Sequence, residues 1–209
     1  MTNCPLCKSE ARHFQWFREM EYLQCDGCSA LFLHPRHLPS PQEEQERYKE
    51  HNNDVEDPGY QKFVAPIVDS VLQDWPPQTS GLDFGAGTGP VISKLLGDQG
   101  YNLRLYDPFF WKDPAPLEDR YDFIVCCEVV EHFHNPEKEF RLLSGLLKPG
   151  GRLYCMTEAW DPSVDFQRWH YKNDPTHVFF YHPHTFRWIR DNLGFSGLEL
   201  QGRLAVLRK

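Results

Sequence analysis

The chain has 209 residues, of which 40% are hydrophobic and 25% charged, with a formal net charge of −8. That balance argues against disorder throughout, and the length allows one full catalytic domain plus a small appendage. The negative charge disfavours a nucleic-acid partner held on a broad basic face.

The N-terminus, Met-Thr-Asn-Cys-Pro-Leu-Cys, lacks the basic-then-apolar pattern of a secretory signal. No apolar stretch approaches the ~20 residues that span a bilayer. These features read as a cytoplasmic protein with no membrane partner. Of the seven cysteines, four form two pairs, Cys4-x-x-Cys7 and Cys25-x-x-Cys28, with 17 residues between them. This spacing lets four thiolates converge on a tetrahedral zinc, and a segment so short needs the metal to fold. Cys4, Cys7, Cys25 and Cys28 are therefore expected to hold a structural zinc in a module over residues 1–38. Four thiolates close the coordination sphere, so no chemistry is expected at the metal. Cys126, Cys127 and Cys155 fall in apolar strands and read as small buried side chains.

Residues 39–58 are polar and acidic and read as a helical linker, with Ser40 as its cap and Pro41 in its first turn. From there the periodicity alternates. Apolar residues at helical spacing (Phe63, Ile67, Val68, Val71, Leu72) predict a helix over 60–75, stopped by Pro76-Pro77. Strands are predicted at 81–84, 103–106, 121–127 and 152–157, and helices at 90–96, 136–147 (closed by Lys148-Pro149-Gly150-Gly151) and 183–193. A closing hairpin is predicted over 196–208. Strands alternating with helices imply a mostly parallel sheet covered on both faces, over residues 59–209.

The turn after the first of these strands reads Leu82-Asp83-Phe84-Gly85-Ala86-Gly87-Thr88-Gly89. Glycines here let a ligand lie against the main chain at a nucleotide-type site. A dinucleotide fingerprint starting at Gly85 would need a third glycine where Pro90 stands, which speaks against a nicotinamide oxidoreductase. A phosphate loop would need a Gly-Lys-Ser/Thr ending, and there is none. Asp107 ends the following strand, where an acid can accept from both ribose hydroxyls. An adenosyl ligand without phosphates fits these facts best.

Residues 82–91, Asp107, residues 121–136 (Tyr-Asp-Phe-Ile-Val-Cys-Cys-Glu-Val-Val-Glu-His-Phe-His-Asn-Pro) and 146–153 (Leu-Leu-Lys-Pro-Gly-Gly-Arg-Leu) together resemble class I S-adenosylmethionine-dependent methyltransferases. The likeness is to the small-molecule group that includes the ubiquinone-biosynthesis O-methyltransferases. It implies an α/β fold with a Rossmann-like seven-stranded sheet whose last strand is antiparallel. It also implies S-adenosylmethionine as cofactor, with Asp83, Gly85, Ala86 and Gly87 along its methionine and ribose portion and Asp107 on the ribose. Cys127 and Glu128 would face the cofactor near the sulfonium. The chain departs from the pattern after Asp107, where 13 residues precede Tyr121. The usual helix and third strand are cut down or replaced there, and Phe109, Phe110 and Trp111 are candidates to wall the adenine.

Methyl transfer from a sulfonium is an in-line displacement, and a base is needed when the acceptor carries a proton. The chain lacks the Asn/Asp-Pro-Pro-Tyr/Phe motif of enzymes that act on exocyclic amines, which favours an oxygen or carbon of a small-molecule acceptor. Residues 169–181 (Trp-His-Tyr-Lys-Asn-Asp-Pro-Thr-His-Val-Phe-Phe-Tyr) follow the fifth strand, where such enzymes place loops over the acceptor. His177 is the candidate general base, with Asp174 to orient it, and His132 is a second candidate. Trp169, Tyr171, Phe179 and Tyr181 are candidates for an aromatic acceptor pocket. A zinc-module RNA methyltransferase is the competing reading, disfavoured because residues 1–50 carry six Lys/Arg against eight Asp/Glu. A non-catalytic binding protein on the same fold is the other.

Overall fold

The computed structural model describes residues 2–50 and 54–209. Four strands open the chain: β1 (Thr2–Asn3), β2 (Glu10–Phe17), β3 (Met20–Cys25) and β4 (Leu31–Leu33), each antiparallel to the next. Helix α1 (Pro41–Lys49) follows, started as expected by Ser40. The Ser40 hydroxyl accepts from the Glu43 amide at 3.3 Å, and the Glu43 carboxylate accepts from the Ser40 amide at 2.8 Å. This reciprocal cap satisfies two amides that the first turn would otherwise leave unpaired.

Helix α2 (Pro58–Asp74) precedes β5 (Gly81–Phe84), α3 (Val91–Asp98), β6 (Leu103–Tyr106) and β7 (Tyr121–Cys127). Then come α4 (Pro136–Leu146), β8 (Leu147–Met156), β9 (Phe179–Phe180), α5 (Pro183–Asn192), β10 (Gly197–Gln201) and β11 (Leu204–Arg208). The main sheet has the order β10-β11-β8-β7-β5-β6. Strands β6, β5, β7 and β8 run parallel, while β11 lies antiparallel to β8 and forms a hairpin with β10. This is the expected α/β arrangement with its closing antiparallel hairpin. The strand count is six among the described residues, because the stretch from Asp107 to Tyr121 forms a bridge between Asp107 and Trp111 and a short turn of helix, but no strand. The boundary before β8 also differs from expectation. Lys148-Pro149-Gly150-Gly151 does not close the helix in a loop. It belongs to a bulged start of β8, whose register against β7 jumps from Tyr121–Leu147 to Phe123–Arg152.

Alternation along the strands divides the core into layers. Phe123 and Val125 of β7 face α2 and α3, packing with Ile67, Val71, Ile92 and Leu96. Ile124 and Cys126 face the opposite side with Phe140 and Leu143 of α4 and Ile189 of α5. That second layer continues without a break into the N-terminal sheet through Leu6, Leu23, Cys25 and Phe32. Strand β9 completes the N-terminal sheet, pairing with β4 as Leu31–Phe180 and Phe32–Phe179. The period of two splits this pairing as well. Phe32 and Phe179 point into the layer shared with α4 and α5, while Leu31 and Phe180 join Trp160, Phe166, Trp169 and Tyr171.

Phe180 is fully buried against Trp169, with ring centroids 5.0 Å apart. Truncating such a side chain typically costs about 3–5 kcal/mol. Phe180→Ala is expected to lose stability in that range in a denaturant titration. A loss within the ordinary surface range would contradict the placement of β9 in the N-terminal sheet.

Candidate active site

The parallel strands β5 and β7 end side by side, and the turns that leave them touch. Gly85 has φ +80°, and a Cβ there would lie 2.4 Å from Cγ2 of Val129, so only glycine fits between the two turns. The Gly85 and Ala86 amides donate to the Tyr106 carbonyl at 2.8 and 3.2 Å, which ties the loop to the end of β6. Asp107 is buried and accepts from the amides of Gly87 (3.1 Å), Phe109 (2.8 Å) and Phe110 (3.0 Å). Its carboxylate thus links the glycine loop to the shortened connection. Asp83 is buried with Ser93 donating at 2.7 Å, and burial pushes its pKa up to about 6.

These turns open onto a cavity of about 1250 Å³. Pockets for one drug-sized ligand run roughly 300–1,000 Å³, so the space can take an adenosyl cofactor and a second small molecule. Asp83, Gly85, Ala86, Gly87, Asp107, Cys127, Glu128, His132 and His177 all line it, so the structure gathers residues from four separate segments around one space. Of the three aromatic residues after Asp107, Phe109 and Phe110 line the cavity. Trp111 does not: it is 40% exposed and its indole N–H donates to the Gly87 carbonyl. Tyr171 lines the cavity too, whereas Trp169, Phe179 and Tyr181 are core residues outside it. Their expected place in an acceptor pocket is therefore corrected. The alternation of β9 and the dense packing around Trp169 turn them inward.

His177 is buried, and its Nδ1 lies 2.7 Å from the Tyr171 carbonyl. A carbonyl can only accept, so Nδ1 carries a hydrogen. Asp174 does not orient this ring as expected. Its carboxylate accepts from the Thr176 amide and hydroxyl and from the Arg47 guanidinium of α1, at 2.9 and 3.1 Å for the latter. Three residues of turn geometry point the Asp174 side chain back onto its own backbone instead of toward His177. His132 stacks edge-on against His177 with centroids 4.8 Å apart and donates from Nδ1 to the Thr176 carbonyl at 2.8 Å. Burial first, and then the neighbouring His177, hold His132 down at about 3, so its ring stays neutral at physiological pH. Beside both rings stands Glu131, fully buried, with side-chain atoms of all three residues within 4.8 Å of one another. Burial pushes Glu131 up to about 8, with the charge of Glu128 adding to the effect and the Tyr171 hydroxyl opposing it.

Several lining residues were not signalled by any motif. Arg203, from the β10–β11 turn, grips Glu128 through contacts of 2.8 and 2.9 Å and lies over the rings of Phe63 and Tyr171. Glu44, Arg47 and Tyr48 of α1 roof the cavity, held by the Arg47–Asp174 pair and by Glu44 accepting from His134 at 3.0 Å. The spacing Glu128-x-x-Glu131-His132 offered a clue to Glu131. Arg203 and α1 reach the site through tertiary packing alone.

Away from the cavity, the Sγ atoms of Cys4, Cys7, Cys25 and Cys28 lie within 4.8 Å of one another, with Cys4–Cys28 at 3.8 Å and Cys7–Cys25 at 3.2 Å. A ZnS₄ tetrahedron with ~2.3 Å bonds has edges of about 3.8 Å. The two turns are copies of each other. Lys8 and Ser29, each following the second cysteine, have φ 64° and 63°. Their amides donate back to the carbonyls of Cys4 and Cys25, while the Cys4 and Cys25 amides donate forward to Ser9 and Ala30. The Gly27 and Cys28 amides also point at the Cys25 sulfur, both at 3.3 Å. The thiol of Cys25 is held well below its ordinary range by hydrogen bonds, from Cys28 first and Cys4 next. Amides donating to a sulfur are the surroundings a thiolate ligand needs, so the donor set fits a zinc ion.

Residues 50–200 match a family described as a methyltransferase domain. A stretch of 85 residues is 28% identical to the ubiquinone biosynthesis O-methyltransferase of Aeromonas salmonicida, covering 41% of this chain and 36% of that protein. The corresponding protein of Serratia proteamaculans is 30% identical over 88 residues, 40% of this chain and 36% of its own length. The matched stretch thus spans little more than a third of these curated relatives. Among solved structures, the 1,6-didemethyltoxoflavin-N1-methyltransferase of Burkholderia thailandensis, with bound 1,6-didemethyltoxoflavin and S-adenosylhomocysteine, superposes with a TM-score of 0.57 at 15% identity, covering 96% of this chain and 99% of that one. The magnesium protoporphyrin IX methyltransferase of Synechocystis, solved with SAH, superposes at 0.55 with 18% identity, covering 81% and 94%. At these identities the likeness concerns the fold.

The raised Glu131 has a consequence for stability. The folded state keeps a proton that the unfolded chain releases near the ordinary glutamate value of 4.5. Its contribution is complete below that value and is lost as the pH rises through about 8. Glu131→Gln, neutral and of the same shape, removes this slope. Denaturant titrations should show the variant gaining on the wild type as the pH is raised between these two values. Parallel pH profiles would contradict the burial of an ionisable carboxyl.

Proposed function

The chain belongs to the methyltransferase-domain family, and on that premise we propose that it moves a methyl group from S-adenosylmethionine to an oxygen or carbon of a small molecule. The observation that carries this reading is the cavity itself, in which the glycine loop, Asp107 and His177 face one space. When bound, S-adenosylmethionine supplies an electrophilic methyl group whose bond to sulfur breaks as the bond to the acceptor forms. The backbone of Gly85, Ala86 and Gly87 would hold the cofactor's methionine and ribose portion, with Asp83 beside the loop. Asp107, held by the loop amides, would accept from the ribose hydroxyls with its remaining lone pairs, and Phe109 and Phe110 would flank the adenine. Cys127 and Glu128 sit at the end of β7 near the reacting centre, where Arg203 neutralises Glu128.

His177 is the general base. Its Nε2 takes the proton of an acceptor hydroxyl while the Tyr171 carbonyl holds the ring's other face. His132, held far below neutrality in its titration, orients and packs instead of exchanging protons. The arrangement of domains follows: residues 1–38 form a metal-held sheet, 39–58 a linker whose helix roofs the cavity, and 59–209 the transferase. The zinc is structural, since four cysteines leave it no open position.

Methyl-labelled S-adenosylmethionine incubated with the protein and a cell extract tests the acceptor class. Label is expected in small molecules other than S-adenosylmethionine, in excess over the extract alone, whereas excess label in RNA would contradict the proposal. His177→Ala should lower that transfer by ~10²–10⁴-fold with cofactor binding intact, the span usual for a lost general base. Full transfer would remove His177 from this role. Metal analysis tests the zinc separately: one equivalent per chain is expected in the wild type and a marked loss in Cys25→Ser, and undiminished zinc in the variant would refute the site.

A further inference from the structure

The connection between β6 and β7 is too short to add a strand, and this changes what α4 faces. In a doubly wound sheet a further strand and helix would cover the edge of β6 and the near side of α4. Among the described residues the connection forms only the Asp107–Trp111 bridge and one turn of helix, Ala115–Leu117. The cavity extends into the space left open, since Leu117 of the connection and Leu142 of α4 both line it.

Helix α4 meets the cavity along a single stripe. Asn135 at its cap, then Lys138, Glu139 and Leu142, line the space at i, i+3, i+4 and i+7, while Phe140, Leu143 and Leu146 point into the core. Asn135 is spent on the cap, where its side chain accepts from the Lys138 amide at 3.3 Å. Lys138 is 76% exposed, and Leu142 offers no polar side-chain atom. That leaves Glu139. Its side chain is only 25% exposed, and the one cation in ion-pair range among the described residues is the Lys138 ammonium, 4.0 Å away. Glu137, two residues earlier, shows the contrast: it pairs with Lys8 at 2.9 Å and with Arg141 at 3.1 Å. A carboxylate so largely covered and so weakly matched calls for a donor from elsewhere.

The wall around Glu139 indicates which donor. Tyr106, the residue before Asp107, lines the same cavity, and its hydroxyl is held above its ordinary range by burial first and by the charge of Glu139 next. The carboxylate therefore stands at the β6 end of the space, beside the acid that would hold the ribose and the two phenylalanines that would flank the base. An adenosyl base has one N–H donor, its 6-amino group, and carboxylates accept well from the exocyclic amines of bases. From this geometry we propose that Glu139 is a specificity residue for the cofactor, accepting from the adenine 6-amino group and reading the base from the helix side because no strand stands beyond β6. This rests on the reading of S-adenosylmethionine as cofactor. The same carboxylate repels a 6-oxo base, whose carbonyl would turn its lone pairs toward the negative charge.

Titration calorimetry on the full chain tests this with S-adenosylhomocysteine and S-inosylhomocysteine, which carries a carbonyl where adenine has its amine. No acceptor and no turnover are needed. The wild type is expected to bind the adenosyl compound about 10–100-fold more tightly, the range for a hydrogen bond to a charged group. Glu139→Gln, whose amide can accept from the amine or donate to the carbonyl, should lose most of that preference. Glu137→Gln removes a charge from the same helix outside the cavity and should keep it. Equal affinities in the wild type, or a preference untouched by Glu139→Gln, would overturn the proposal and leave the cofactor in place. A preference lost equally in Glu137→Gln would make the effect one of net charge and overturn it too. Failure of S-adenosylhomocysteine to bind at all would instead overturn the cofactor reading beneath it.

Discussion

Two backbone pairs, Leu31 with Phe180 and Phe32 with Phe179, fix the side of the cavity that carries Tyr171 and His177. They insert β9, from the transferase portion, as the last strand of the N-terminal sheet. The segment before β9 carries Tyr171, Asp174 and His177, so the position of the candidate base is set by a sheet built largely from the first 33 residues. The pairing is supported on both faces. Phe179 joins the continuous layer beneath α4 and α5, and Phe180 joins the aromatic cluster of Trp160, Phe166 and Trp169. The cysteine cluster joins the β1–β2 connection to the β3–β4 turn of the same sheet, with Cys4, Cys25 and Cys28 buried in the shared layer. A metal bound there would act on the site through rigid packing and not through chemistry.

The cofactor side depends on a different constraint. Gly85 and Val129 leave no room for a side chain between the turns of β5 and β7, so the loop must lie flat where a ligand can reach its backbone. Asp107 links that loop to the shortened connection by accepting three amides. The missing strand at the β6 edge leaves this contact intact, because Trp111 bridges back to Asp107 and donates to Gly87. An overall acidic chain thus gives most acids around the cavity a named partner: Glu128 has Arg203, Asp174 has Arg47, Glu44 has His134, and the nearby Glu131 has the Tyr171 hydroxyl.

Much of this was legible in the amino-acid order. Strand β7 and the helices flanking it follow directly from their periodicity, and the cofactor loop from its glycines and the proline that excludes a dinucleotide. The paired cysteines, with Pro5 and Gly27 in their turns, announce a cluster that the structure forms with matched backbone geometry. What could not be read were relations between distant segments. Nothing local marks a two-residue strand at Phe179 as belonging with Leu31, nor Arg203 as the partner of Glu128, 75 residues away. Asp174 was misread because proximity in sequence favours the contact with Thr176 over one with His177. The Lys-Pro-Gly-Gly run looked like a helix stop, but a bulge absorbs it into β8.

The central claim is that the N-terminal sheet, by pairing β4 with β9, supports the segment that carries Tyr171 and His177. Hydrogen exchange on the zinc-loaded chain, before and after chelation, tests it most directly. The account predicts that removing the metal deprotects backbone amides over residues 170–181 together with those of β3 and β4, while β5 and β7 stay protected. Deprotection confined to residues 1–33, with 170–181 unchanged, would show that the sheet folds beside the catalytic wall without supporting it.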